Sequence, residues 1–309
     1  MNNLTVSSSP HIHSPKTTQG IMLDVIIAMI PAAVMSVILF GFRALVVELF
    51  CMAGCLGLEA LWNWSFNADQ TIGDLSALVT GLMLAFNMPV SIPLWQAFIG
   101  CIVAIIVVKM LFGGIGCNFV NPALAGRVVM AVSFTNAMTN YGYPKGAVDA
   151  LASATPLRLI EQGESINIWK LFTGSHGGVL GETCCAALLL GGIYLILRGI
   201  IKPWAPIAMI GSEILFSWLF GCAHPIQLAL SGGLFLGAFF MATDYTTSPY
   251  TDLGKIVFGA GAGLIVAVIR MFANSTEGVA YSILLMNLLV PYINDFTRRT
   301  PFGEEAAKQ

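Results

Sequence analysis

The chain has 309 residues, of which 57% are hydrophobic and only 10% charged, with a formal net charge of -2. A soluble domain carries about 25% charged residues, so this composition cannot cover a water-facing surface. The charges sit between long apolar runs, the pattern of an integral membrane protein, and the charge balance gives no reason to expect nucleic-acid binding. Seven cysteines without a CxxC pair argue against a disulfide framework and against iron–sulfur ligation by this chain alone.

Residues 1–20 are polar and rich in Ser, Thr and Pro, with no basic region followed by an apolar core and a cleavage pattern, so no signal peptide is predicted. His11 and His13 in this tail are read as solvated, and no metal site is expected. A spanning helix needs about 20 apolar residues. Ten candidates follow, at 21–41, 44–62, 75–88, 94–112, 121–134, 179–197, 204–221, 226–242, 254–272 and 277–294. The third and fifth are short, as in broken helices that line a site.

The two halves are alike. "GLEALWNW" (57–64) returns as "GSEILFSW" (211–218), and "ALVTGLMLAF" (77–86) as "ALSGGLFLGA" (229–238). The fourth and ninth segments carry Gly100 and Gly259 and end near Lys109 and Arg270. Arg43 and Arg198 each close a first helix. The offsets of the two motifs, the glycines and the Arg43–Arg198 pair stay at about 152 to 159 residues, as a duplication requires. Five helices per unit is an odd number, so the second copy enters the membrane from the opposite side. The expected fold is all-α integral membrane, about ten transmembrane helices in two five-helix inverted-topology repeats. Its parts are a tail (1–20), a first repeat (21–134), a connecting loop (135–178), a second repeat (179–294) and a C-terminal tail (295–309). With the N-terminus cytoplasmic, eight Lys and Arg fall inside, Lys109 among them, and five outside, Arg270 among them. That bias favours cytoplasmic termini and an extracytoplasmic connecting loop.

Asp24, Glu59 and Glu213 are carboxylates in or near spanning segments, and Arg127 is a cation within one. Such groups are costly in hydrocarbon and face protein or water. All three carboxylates are candidates for an ion path; Glu59 and Glu213 occupy corresponding positions, which equally fits interhelical pairing. Asp244 is read as a cap of its loop.

Within the connecting loop, "VDALASATPLRL" (148–159) places Thr155 among small residues and before Pro156, which restricts its conformation. From the residues alone, Ser153 or Thr155 reads as a turn or helix cap. Asn118 and Asn121 stand beside a Gly cluster. Their amides offer donors and acceptors to a ring edge, and Asn121 before Pro122 equally reads as a helix cap.

"DALASATPL" resembles the motif at which a flavin transferase esterifies a Thr hydroxyl with the phosphate of FMN. Asp149, Ser153, Ala154 and Thr155 match, while Ala152 departs from the usual Ser or Thr. "FGGIGCNFVNPALAGR" (112–127), "FFMATDYTTSPY" (239–250) and "STEGVAYSILLMN" (275–287) resemble further segments of one family. It is the family shared by the D subunit of the Rnf electron transport complex and the B subunit of the sodium-pumping NADH:quinone reductase. The resemblance covers about residues 20–295, and the short tail favours the Rnf member.

The resemblance implies covalent FMN on Thr155 and electron transfer across the inner or plasma membrane coupled to Na+ or H+ transport. It also implies a non-covalent riboflavin, carried over to Asn118 and Asn121. Arg158 either pairs with the phosphodiester or is a solvated loop charge, and Arg127 joins the cofactor-binding set. The implied partners are another covalent-FMN subunit, iron–sulfur and NADH- or ferredoxin-interacting subunits, and the flavin transferase. The chain is then not catalytic alone. The competing reading is an inverted-repeat secondary transporter or channel without flavin.

Overall fold

The computed structural model describes residues 16–141, 156–161, 165–174, 176–273 and 278–298. Helices form wherever the sequence is continuously apolar, because a backbone in hydrocarbon must satisfy its own hydrogen bonds. The first unit contains α1 (Thr18–Phe40), α2 (Phe42–Ser65), α3 (Ser76–Phe86), α4 (Leu94–Ile102, continued as a π-helix over Val103–Met110) and α5 (Pro122–Ser133). Three short helices follow: α6 (Thr135–Met138), α7 (Pro156–Glu161) and α8 (Ile168–Thr173). The second unit contains α9 (Cys185–Leu197), α10 (Trp204–Leu219), α11 (Pro225–Leu230), α12 (Leu234–Leu236, continued as a π-helix over Gly237–Met241), α13 (Asp252–Phe272) and α14 (Gly278–Thr297). Every expected segment contains helix. Among the described residues, only α1, α2, α13 and α14 are long and apolar enough on their own to cross a membrane.

Two departures from continuous helix matter. α3 and α5 are short, as expected. The eighth segment is also broken, at Ser231–Gly233, because Gly232 and Gly233 take positive φ of 54° and 38°. An L side chain is strained there. In the first unit the corresponding Thr80–Gly81 step stays helical, and α3 runs through it.

The loops gather at two ends. At the proximal end Lys16 Nζ donates to Gly199 O (3.2 Å), Tyr245 Oη donates to Ile200 O, and Lys202 pairs with Asp252 (2.6 Å). At the distal end Arg43 donates to Ile92 O (2.9 Å), Ser91 to Asn140 O (2.7 Å) and Leu180 N–H to Met88 O (3.1 Å). Ile166 N–H donates there to Gln227 Oε1 (3.0 Å). Successive described loops thus alternate between ends. All six Trp lie near helix ends or in the distal connecting region, with Trp62, Trp64 and Trp204 proximal and Trp95, Trp169 and Trp218 distal. Five of them are exposed, as in the aromatic belts of membrane proteins. The chain is a multi-pass membrane protein.

The units meet through like elements: α1 packs on α9, and α5 on α14. Close approach rests on missing Cβ atoms. A Cβ at Gly191 would strike Ala28 O, one at Gly81 would lie 2.7 Å from Cys51 O, and one at Gly263 would strike Met209 O and Ser212 Oγ. These glycines are inside, where α9 crosses α1, α3 crosses α2 and α13 crosses α10.

Candidate functional site

A cavity opens at the proximal end where the two units meet. Its empty volume is about 790 Å³, mouth included. α1 contributes Met22 and Val25, α3 contributes Ser76, Thr80 and Met83, and the turn before α5 contributes Asn118 and Asn121. The second unit supplies Phe239, Phe240 and the loop Thr243–Thr246. The wall is therefore apolar and aromatic, with a few polar groups, the usual make-up of a small-molecule site.

The sequence places Asn118 and Asn121 together, and the structure puts both at this cavity. Asn121 caps α5: its Oδ1 accepts from Ala123 N–H (3.0 Å) and Leu124 N–H (3.2 Å), with Pro122 in the first turn. Its amide also donates to Met241 O (3.4 Å), tying the two units together. Asn118 donates to Val120 O (3.1 Å), and Asp244 lines the same cavity. Burial pushes the Asp244 carboxyl up, against the bonds from Thr247, Thr246 and Asn118 that favour its charged form. It caps its own loop, as expected.

The two carboxylates at corresponding positions are both ion-paired. Glu59 on α2 meets Lys109 on α4 at 2.6 Å, with side-chain exposures of 1% and 4%. Glu213 on α10 meets Arg270 on α13 at 3.0 Å, with exposures of 0% and 1%. In each unit the cation also binds the start of the third segment. Lys109 donates to Ser76 Oγ (2.5 Å), and Arg270 to the carbonyls of Leu228 (2.8 Å), Ser231 (3.0 Å) and Gly232 (2.6 Å). Of the two readings open in sequence, interhelical pairing is what the geometry gives both carboxylates. Lys109 and Arg270 are not loop charges, contrary to their use in orienting the chain. One leaves each side of the count, so the bias keeps its direction.

Arg127 stands apart from Asn118 and Asn121. It is buried towards the distal end and bonds Glu182 (2.5 Å) and Asn87 Oδ1 (2.5 Å), joining the end of α3 to the loop before α9. It lines a second, smaller cavity of about 400 Å³ with Tyr141, Pro156, Leu157, His176 and Glu182. His176 Nδ1 donates to Gly177 O (3.1 Å), and its buried Nε2 has no hydrogen-bond partner. Asp24 lies at the proximal rim, paired with Arg198 (3.0 Å) and accepting from Tyr194 (2.8 Å). Asp149, Ser153 and Thr155 lie outside the described residues, as does the Arg158 side chain. Pro156 begins α7, whose Leu157 and Ile160 pack on Leu228.

Sequence reasoning misses Glu182 and Glu48. Glu48 is 2% exposed on α2 and accepts from Ser36. A carboxylate inside an apolar run is the available signal for Glu48, while Glu182 looks like an ordinary loop charge.

The family model described as the NQR2, RnfD, RnfE family matches residues 5–303. The chain belongs to that family. It is 43% identical to the D subunit of the Na(+)-translocating ferredoxin:NAD(+) oxidoreductase complex of Acetobacterium woodii, over 99% of this chain and 98% of that one. It is 39% identical to the D subunit of the Proton-translocating ferredoxin:NAD(+) oxidoreductase complex of Clostridium ljungdahlii, over 98% and 97%. It is 33% identical to the D subunit of the Ion-translocating oxidoreductase complex of Escherichia fergusonii, over 96% and 98%. The first two names give different ions at similar identity, so kinship within the family does not choose the ion.

Proposed function

We propose that this chain is the D subunit of an Rnf-type ion-translocating ferredoxin:NAD+ oxidoreductase, carrying FMN esterified to Thr155 and passing electrons across the membrane. The observation that carries this reading is end-to-end kinship with subunits of that name. Ten spans in two inverted five-helix units, with cytoplasmic termini and the Thr155 loop outside, form part of the proposal. The alternation of loops between ends and the matched Glu59–Lys109 and Glu213–Arg270 pairs support it. Other Rnf subunits would supply the NAD and iron–sulfur ends of the electron path, and a flavin transferase the ester.

The proximal cavity fits a flat ring such as that of riboflavin. Phe239, Phe240 and Met83 offer apolar faces, and Asn118 a polar edge. A flavin there supplies one- and two-electron chemistry. The residues of this chain bind and orient: Asn121 fixes the start of α5, and its tie to Met241 holds the two walls together. The smaller distal cavity begins at Pro156, the residue after the proposed ester. Electron carriers at opposite ends of one bundle are what transfer across a membrane requires.

Denatured protein from a host with the transferase should fluoresce as a flavin band on a gel, and Thr155→Ala should lose the band at unchanged expression. Absence of the band in the wild type would favour the flavin-free transporter.

A further inference from the structure

The matched ion pairs differ in one respect that bears on ions. Glu213 and Arg270 are sealed. The guanidinium is gripped by one carboxylate and three carbonyls and touches neither cavity. Lys109 is held by two side chains, through Glu59 Oε2 and Ser76 Oγ, and both Lys109 and Ser76 line the proximal cavity. Glu59 does not line it. The ammonium therefore stands between Glu59 and the cavity. On its other side Glu59 Oε1 accepts from Thr71 Oγ1 (2.5 Å), and Thr71 is exposed on the turn between α2 and α3.

We propose that the ammonium of Lys109 occupies a monovalent-cation site, and that Na+ replaces it on Glu59 when the lysine withdraws into the cavity. The site is built of oxygens: the Glu59 carboxylate, Ser76 Oγ and Thr71 Oγ1. Nζ lies 2.6 and 2.5 Å from two of them, so two of the oxygens already converge on one cation. The exchange swaps one positive charge for another, so the buried carboxylate is never left unpaired, which would be costly. Lysine suits the task because it is a compact charge on a flexible stem, whereas the arginine fork is fixed by its several acceptors. The cavity offers the displaced ammonium a second carboxylate, since Asp244 lines the same space. Asp74 supports the site by accepting from Ser76 Oγ (2.6 Å) and Ser76 N–H (2.8 Å). Glu59 would then be a stepping point between the bundle end at Thr71 and the cavity. The inference rests on the reading of the chain as part of an ion-translocating complex and singles out Glu59 among the ion-path candidates Asp24, Glu59 and Glu213.

The test is equilibrium binding of radioactive Na+ to the full chain in lipid nanodiscs, with choline chloride holding ionic strength constant. Lys109→Met removes the tethered competitor and should bind Na+ at least about tenfold more tightly than the wild type, a change of about 1.4 kcal/mol. Lys109→Arg, with a cation that cannot withdraw, should bind none. Glu59→Gln/Lys109→Met, which leaves no lone charge, should also bind none. If Lys109→Met fails to accumulate, NaCl but not choline chloride should restore it during purification. The proposal is overturned if Lys109→Met binds no better than the wild type, if the double variant binds as Lys109→Met does, or if NaCl gives no rescue. The measurement needs neither flavin nor electron flow. A missing fluorescent band therefore sinks the flavin reading and leaves this one standing, and missing Na+ binding does the reverse.

Discussion

Replacing Arg270 with Met is the sharpest test of how the second unit is held. Arg270 is 1% exposed, and its removal strands Glu213, which is 0% exposed. Breaking a buried pair by deleting one partner costs about 3–5 kcal/mol, because the remaining charge has no compensation. The carbonyls of Leu228, Ser231 and Gly232 also lose a donor, which places the expected loss at the upper end, about 5 kcal/mol. Glu213→Gln should cost less, about 2–3 kcal/mol: it also takes the counter-charge from a buried ion, but the guanidinium keeps those carbonyls as partners. The pair is itself imperfect: Glu213 Oε2 and Arg270 Nε are buried without partners. Its net worth over an apolar replacement is therefore small, and Glu213→Leu/Arg270→Met should be more stable than Arg270→Met alone. Unfolding in mixed micelles titrated with SDS, followed by Trp fluorescence, gives the three free energies. A loss below about 1 kcal/mol in Arg270→Met, or a double variant worse than the single, would falsify the account of a stranded buried charge.

Three further outcomes follow from other contacts. Asn121→Ala removes the cap of α5 and should cost about 1 kcal/mol in the same unfolding assay, with Asn121→Asp restoring most of it; equal loss in both would refute the capping role. Arg198→Ala should change stability by less than about 1 kcal/mol, because the Arg198 side chain is 58% exposed and Asp24 keeps its bond from Tyr194. His176 contributes on the acid side. Burial holds its pKa below the ordinary value, outweighing the Gly177 and Thr183 backbone, which pull it up, and a proton on Nε2 would lack a well-placed acceptor. A folded value below the unfolded one means stability that is complete above about pH 6.5 and lost as pH falls through the lower folded value. His176→Gln should therefore flatten the acid limb of the stability profile; an unchanged limb would assign that loss to other groups.

Much of this arrangement is legible in the sequence. The repeated "GLEALWNW" and "GSEILFSW" stretches match Glu59 with Glu213, and the structure gives them matched partners. The cap at Asn121 follows from Asn before Pro. Lys109 and Arg270 are misplaced by sequence alone because a run of hydropathy reports where charges lie along the chain and not what they face. Each ends an apolar segment, where an unpaired cation would reach water, so only the facing helix shows that it turns inward. The break at Gly232–Gly233 has a signal in the paired glycines. It is hidden because its counterpart "VTGL" carries only Gly81 and remains helical. The glycines at 191 and 263 read as featureless small residues until the crossing backbones are seen.

The proposed duplication also accounts for the position of the second cavity. The pseudo-symmetric mates of α1 and α3, which wall the proximal cavity, are the entry to α9 and the break before α12. His176, Gly178, Glu182 and Gly232 come from those two places, and they line the distal cavity. On that proposal the two cavities are versions of one crevice between the units, opened at opposite ends. The distal one is smaller, about 400 Å³ against about 790 Å³. It also holds what the proximal crevice lacks: the Arg127–Glu182 pair and Pro156 and Leu157 of α7. The helix α7 belongs to the connecting loop, which has no counterpart within either repeat. An insertion between two copies can specialise one end of a symmetric bundle without disturbing the other. Deleting the anchor, as in Leu157→Asp, should consequently loosen the distal end, measured as faster amide exchange at Leu228–Ser231, and leave exchange at the Asn121 cap unchanged. Equal loosening at both ends would mean that the crevices are not independent, and the symmetry argument would fail with them.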